Sequence, residues 1–318
     1  MKLLITRPLP EAVLRAAAAQ FDLTIRAETL PLTPAEVRAS LSDHDLVLPT
    51  LRDIYDAAAF AAVPNPRAKL LANFGVGYNH IDAVAARAAG IAVTNTPGAV
   101  TDATADIAMM LILMAARRAG EGERLVRRGA WQGWHPTQML GMHLGGKVVG
   151  IVGMGRIGKA IARRCHHGFG MSVRFVNRSA VADAGVPAEQ MASTGALAAS
   201  VDVMVAAVPG GAATRHLIGA EVFAAMQPHA IFINISRGDV VDEVALIAAL
   251  QSGQIGGAGL DVYEQEPTVP AALCAMENVV LLPHLGTAAL EVREAMGLMA
   301  LDNLMAFAAG RVPPNLVN

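Results

Sequence analysis

The chain has 318 residues, enough for two medium-sized domains with a core each, so a mini-protein held together by disulfides or a metal is excluded. Lys and Arg total 25 against 27 Asp and Glu, a formal net charge of −2, and no overall field attracts a polyanion such as nucleic acid. Residues are 53% hydrophobic and 16% charged, and the two cysteines, Cys165 and Cys274, form no CxxC pair, a composition that suits deep burial, a subunit interface, no metal centre and a reducing cytoplasm.

The start, MKLLITRPLP, meets Arg7 and Pro8 too soon for a signal peptide and reads as a first strand. The apolar run from Ile107 to Ala116 is about half of what a membrane span needs, so a membrane is not an expected partner. KLLIT, FDLTIRA, DLVLPT, KLLANFG and GIAVTN alternate with helix-like stretches, one Ala-rich from Glu11 and one opened by Pro34. That rhythm describes a parallel sheet with helical crossovers. Pro97-Gly98 closes the unit, and a long helix is expected over Thr101 to Ala116. Between Arg117 and Gly146 strand character disappears; arginines, Glu121 and Glu123 are followed by Trp131 and Trp134.

A second unit with the same rhythm starts at Lys147. KVVGIV, MSVRFVN, DVMVAAV, AIFINI, GGAGLD and VVLL are its strands, with helices expected at Gly158 to His167 and Val241 to Gln251. A last helix, Leu290 to Ala309, is expected to return to the first domain and make it discontinuous.

The strand Lys147 to Val152 runs directly into Gly153-Met154-Gly155-Arg156-Ile157-Gly158, which opens a helix with Ile157 and Ile161 on one face. In that context the first glycine makes a tight turn, the second lets backbone approach a pyrophosphate, the third lets helix and strand pack closely, and helix-terminal N–H groups hold the anion. A dinucleotide site is the reading. Its next strand ends in Asn177-Arg178-Ser179, where an NAD enzyme usually carries an acid about 20 residues into the motif. Without a carboxylate to repel a 2′-phosphate, and with Arg178 able to grip one, NADPH is the expected cofactor; NADH is the alternative if Arg178 only faces solvent.

Ligands meet an open parallel sheet at the carboxyl ends of its strands. Arg237 follows AIFINI, Glu266 lies just beyond GGAGLDV, and His284 follows VVLLP. An arginine to clamp a carboxylate, a histidine to donate a proton and a glutamate to orient and charge that histidine form a minimal kit for reducing a 2-keto acid with a nicotinamide. Each also has a bland reading, as a cap, a turn residue or a neutraliser of Asp239.

The chain resembles the D-isomer-specific 2-hydroxyacid dehydrogenases, and within them the glyoxylate and hydroxypyruvate reductases. The motifs that carry the resemblance are VGYNHID at 76 to 82, TPG at 96 to 98, GMGRIG at 153 to 158, NISRGDVVDE at 234 to 243, GLDVYEQEP at 259 to 267 and LLPHLG at 281 to 286. The resemblance implies an α/β architecture of two Rossmann-like domains with parallel sheets. A cofactor domain, 100–286, with a dimerisation arm at about 116–146, is inserted into a discontinuous flavodoxin-like substrate domain formed by 1–99 and 287–318. It implies catalytic roles for Arg237, Glu266 and His284, substrate contacts at Leu51, Val76 and Gly77, and a homodimer in which Trp134 reaches the neighbour's site. Around the cofactor it implies the glycine turn, Asn177, Arg178, Ser179, Val208, Pro209, Thr214, Ile235, Ser236, Arg237, Asp261, His284 and Gly286, with Asp261 beside the nicotinamide.

Two departures from the family stand out: Asp106 replaces a usual Glu with no evident chemical consequence, and Val208 to Thr214 replaces a leucine-proline-leucine-threonine run. The expected reaction is reduction of glyoxylate or hydroxypyruvate to glycolate or D-glycerate. Competing readings are a broader enzyme for pyruvate, phenylpyruvate or 2-ketogluconate, and a non-catalytic nucleotide sensor.

Overall fold

The computed structural model describes residues 1–318, which divide into two compact units, Met1–Val100 with Thr287–Asn318 and Thr101–Gly286. The first contains β1 (Lys2–Ile5), α1 (Glu11–Ala18), β2 (Asp22–Ile25), α2 (Pro34–Asp43), β3 (Leu46–Leu48), α3 (Ala57–Ala61), β4 (Leu70–Ala72), α4 (Ala83–Ala88) and β5 (Ala92–Thr94). Its sheet is wholly parallel, in the order β2-β1-β3-β4-β5, with Leu3 facing Leu46 and Leu70 facing Ala92 across the ladder. β3 and β4 are buried at every position, which is why LVL and LLA are continuous apolar runs rather than alternating ones. α2 starts where the sequence demands: Thr33 Oγ1 accepts from the Glu36 amide, the Glu36 carboxylate accepts from the Thr33 amide at 2.7 Å, and Pro34 occupies the first turn.

The second unit begins with α5 (Thr101–Ala116) and α6 (Ala119–Arg127). It continues through β6 (Val148–Val152), α7 (Arg156–Arg163), β7 (Ser172–Val176), β8 (Ala188–Gln190), α8 (Thr194–Ala198) and β9 (Val203–Ala206). α9 (Ala220–Ala225), β10 (Ile231–Asn234), α10 (Glu243–Gln251), β11 (Gly257–Leu260), α11 (Ala271–Ala275) and β12 (Val279–Leu281) complete it. All seven strands are parallel, in the order β12-β11-β10-β9-β6-β7-β8. One face of the sheet packs Leu111, Ile112, Ala160 and Ile161 of α5 and α7; the other packs Leu197, Phe223, Leu246 and Leu250 of α8 to α10. The strand order reverses between β6 and β9, so the crevice for a ligand opens at the ends of those two strands. The final helix, α12 (Leu290–Ala308), belongs to the first unit and packs on α1 and β4.

The expected two parallel α/β sheets are present, with differences in detail. The helix expected from Gly158 starts at Arg156 and passes at Arg164–Gly168 into a wider π turn. α6 and β8 were not expected as separate elements, and neither fully buries a side chain. Asp106 accepts a hydrogen bond from Arg164 Nε at 2.8 Å, a surface ion pair between α5 and the residue after α7. No helix is long and apolar enough to cross a membrane.

Candidate active site

The glycine turn lies at the carboxyl end of β6, beside the switch point. Gly153 adopts φ +100°, and a Cβ there would lie 2.7 Å from the Ala207 carbonyl oxygen and 2.8 Å from Val208 Cγ1 at the end of β9. A Cβ on Gly158 would collide with the Gly153 carbonyl. These two glycines are required by the protein's own packing. Gly155 is different: a Cβ there would meet nothing, so its backbone faces open space at the start of α7. An exposed glycine between two packed ones, at a helix N-terminus, fits a pyrophosphate approaching the backbone. Arg156 beside it is exposed, and Ile157 packs toward the core.

Asn177, at the end of β7, is turned inward. Its Oδ1 accepts from the Met154 amide at 3.2 Å and its Nδ2 donates to the Ser179 carbonyl at 3.0 Å, so it braces the turn. Arg178 and Ser179 are exposed, and Arg178 has no acidic partner. A solvent-facing guanidinium with no carboxylate beside it fits a phosphate on the adenosine ribose. On the β9 side, Val208 lies against the turn and the Thr214 hydroxyl donates to the Pro209 carbonyl at 2.7 Å. Ile235 and Ser236 are both 6% exposed, and the Ser236 hydroxyl donates inward to Asn234 Oδ1 at 2.8 Å. Asn234, which sequence reasoning missed, also donates from Nδ2 to the Arg237 carbonyl at 3.0 Å and so shapes the loop that carries the arginine.

Arg237, Glu266 and His284 follow β10, β11 and β12, three neighbouring strands of one sheet. Arg237 Nη1 donates to the Ser236 carbonyl at 2.7 Å, while its buried Nε has no partner. The side-on edge of the guanidinium, Nε and Nη2, therefore has no hydrogen-bond partner within the protein. Burial pulls the Arg237 pKa down, against the charges of Glu266 and Asp239, but a guanidinium remains protonated. His284 Nδ1 lies 3.0 Å from Glu266 Oε2 and 3.2 Å from Oε1. Burial opposes charge on Glu266, yet the His284 hydrogen bond and charge, the Tyr263 amide and Arg237 outweigh it and hold the carboxyl below its usual range. An ionised carboxylate only accepts, so Nδ1 carries hydrogen and Nε2 is the nitrogen left to exchange a proton.

His284 sits at φ +56°, the left-handed region that a non-glycine residue enters only when held there. Asp261 supplies the hold. Its carbonyl accepts from the His284 amide at 2.9 Å, and its two carboxylate oxygens accept from the Leu285 and Gly286 amides at 2.6 and 2.8 Å. Thr104 donates to the Gly286 carbonyl at 3.1 Å from α5. Expected beside the nicotinamide, Asp261 is 1% exposed and has both oxygens committed to the histidine loop. Burial pushes its pKa above the ordinary carboxyl range, against the pull of those amides and of His284.

In the first unit, Leu51 lies in the loop after β3, where its carbonyl accepts from Arg7 Nη1 at 2.7 Å. Val76 and Gly77 lie in the loop after β4; both are half-buried, and neither amide has an acceptor in the protein. Trp131 and Trp134 in the arm after α6 are 53% and 79% exposed.

The family model described as the NAD binding domain of D-isomer specific 2-hydroxyacid dehydrogenases matches residues 109–286. The chain is 41% identical over 323 residues to the glyoxylate reductase of Pyrococcus furiosus, covering all of this chain and 95% of that relative. It is 42% identical over 326 residues to the glyoxylate reductase of Korarchaeum cryptofilum, with 100% and 96% covered. Among solved structures it is similar to the NADPH-dependent glyoxylate/hydroxypyruvate reductase of Sinorhizobium meliloti in complex with NADP and malonate, at 35% identity and a TM-score of 0.88, with 99% of this chain and 96% of that one covered. With the glycine turn, the strand-end residues and a relationship that spans the whole length, the chain belongs to the D-isomer specific 2-hydroxyacid dehydrogenases, nicotinamide-dependent oxidoreductases that act on CH–OH groups.

Proposed function

We propose that the protein reduces small 2-keto acids, glyoxylate and hydroxypyruvate foremost, to glycolate and D-glycerate, and prefers NADPH to NADH. The observation that carries this reading is the unpaired side-on edge of a buried arginine on the same strand-end row as a glutamate-paired histidine. A flat carboxylate matches that edge with two parallel hydrogen bonds, and Arg237 thereby orients the adjoining carbonyl. The nicotinamide, when bound, supplies the hydride. His284 Nε2 hands a proton to the carbonyl oxygen, and Glu266 keeps Nδ1 as the donor and stabilises the charged imidazole before the transfer. On the first unit, the Val76 and Gly77 amides are assigned to the substrate carboxylate and Leu51 to its side chain.

The glycine turn, with Arg156, Ile157, Val208, Pro209, Thr214 and Gly286, is assigned to the cofactor, and Arg178 with Ser179 to its 2′-phosphate. The names of the relatives favour glyoxylate among the possible acids. The exposed Trp131, Trp134 and Leu140 favour a homodimer joined through the arm, with Trp134 directed to the neighbour's substrate. Two free thiols suit the cytoplasm as its compartment.

A panel of 2-keto acids assayed with each reduced cofactor, followed by loss of nicotinamide absorbance, tests the reading. The highest kcat/KM is expected for glyoxylate or hydroxypyruvate with NADPH. A higher value for pyruvate, phenylpyruvate or 2-ketogluconate overturns the substrate assignment, and an equal or higher value with NADH overturns the cofactor preference.

A further inference from the structure

We propose that Asn73 and Asn95 are positioning residues that hold residues 75–78 as an anion cradle for the substrate carboxylate, with the Tyr78 amide as a third donor beside those of Val76 and Gly77. The proposal rests on the 2-keto acid reading above.

The four carbonyls of residues 75–78 are all taken by donors within the first unit. Asn73 Nδ2 donates to Gly75 O at 2.9 Å and to Gly77 O at 3.1 Å, and Asn95 Nδ2 donates to Val76 O at 2.9 Å. The Thr96 amide adds a second bond to Gly75 O at 3.1 Å, and Tyr78 O accepts from Ile81 N at 2.8 Å. By contrast, the amides of Val76, Gly77 and Tyr78 have no acceptor in the protein, and the three residues are half-buried. Three successive N–H groups without partners, on a loop whose carbonyls are all engaged, are donors left for an oxyanion.

The loop is also fixed before any ligand arrives. Asn73 directly follows β4, is fully buried, and its amide donates to the carbonyl of Thr94, the last residue of β5, at 3.0 Å. Gly75 enters the loop at φ +154°, backbone that an L side chain rarely adopts. The Asn73 Oδ1 is buried without a partner, a cost that an apolar side chain of similar size would avoid, so it is the two N–H bonds of this amide that the site uses. Asn95 is held in turn through its backbone: its amide donates to Asn315 O at 3.2 Å, and its carbonyl accepts from Asn303 Nδ2 at 3.4 Å.

The test is Asn95→Asp, which keeps the shape of the side chain and removes the donor, with Asn73→Asp as the stronger variant at the buried position. In the full-length enzyme, Asn95→Asp is expected to raise KM for glyoxylate about tenfold or more, with a much smaller fall in kcat and an unchanged KM for NADPH. Weakened binding of oxalate to the cofactor-bound enzyme, read by calorimetry, is expected alongside. A folded Asn95→Asp protein with wild-type KM for the keto acid and wild-type oxalate affinity overturns the proposal. If wild-type enzyme turns over no 2-keto acid, the reaction assigned above falls, and oxalate binding alone then decides the cradle: unchanged affinity in Asn95→Asp rejects it.

Discussion

His284 Nδ1 and Glu266 Oε2 stand 3.0 Å apart although 18 positions separate the residues in the chain. The pair exists because β11 and β12 are neighbours in the parallel sheet and each residue follows its strand at the same edge. With Nδ1 engaged, Nε2 is left as the exchanging nitrogen. His284→Ala is expected to lower kcat about 10²-fold or more while cofactor binding, followed by fluorescence titration, changes little. Near wild-type turnover removes the histidine from the mechanism.

Glu266 acts through charge and orientation together, and its carboxyl is held below the ordinary range. A depressed carboxyl keeps its charge as pH falls through the usual value and loses it only at a lower pH, so Glu266 stays ionised throughout a neutral assay. Glu266→Gln keeps an acceptor for Nδ1 but removes the negative charge beside the imidazole. Turnover in reduction is expected to fall about 10-fold or more while cofactor binding changes little, read from kcat and from fluorescence titration of the two proteins. An unchanged kcat sinks the assignment.

Asp261 braces the left-handed histidine residue through three consecutive amides. Asn at this position keeps one acceptor and sets an NH2 group against an amide N–H. Asp261→Asn is expected to cost about 10-fold or more in kcat with an altered pH profile, since the imidazole loses its fixed direction. If only the KM for cofactor rises, the carboxylate serves the nicotinamide and the brace is incidental.

Arg178 is exposed and carries no acidic partner. Arg178→Ala is expected to lower kcat/KM with NADPH by about 10-fold to 100-fold, the range of a charged hydrogen bond to phosphate, and to leave NADH kinetics nearly unchanged. Equal losses with both cofactors point to a structural role.

Gly155 and Gly158 lie three residues apart and should fail differently. Gly158→Ala drives a methyl group into the Gly153 carbonyl, so the melting temperature is expected to fall. Gly155→Ala meets no protein atom, so stability is expected to hold while cofactor affinity drops, because the methyl group occupies the side from which a pyrophosphate approaches. Thermal melts with and without NADPH separate the two. Unimpaired cofactor stabilisation in Gly155→Ala contradicts the anion-site reading.

Much of the architecture was legible without coordinates, because buried parallel strands are written as short apolar runs and a dinucleotide turn as spaced glycines. The strand-end positions of Arg237, Glu266 and His284 followed from the same reading. The edge strand β8, with the sequence AEQ, buries nothing and left no apolar run to read, and the short α6 fully buries no residue.

Tertiary structure alone decided how the polar side chains are spent. It turned Asn177 onto the Met154 amide, committed Asp261 to the histidine loop, left the side-on edge of Arg237 without a partner, and set Asn73 and Asn95 on the carbonyls of 75–77. Apolar periodicity reports which face of an element is dry, a property of nearest neighbours in sequence. The partner of a buried amide or carboxylate depends on strand order and on the φ angles of the loops between strands, and no linear pattern encodes those.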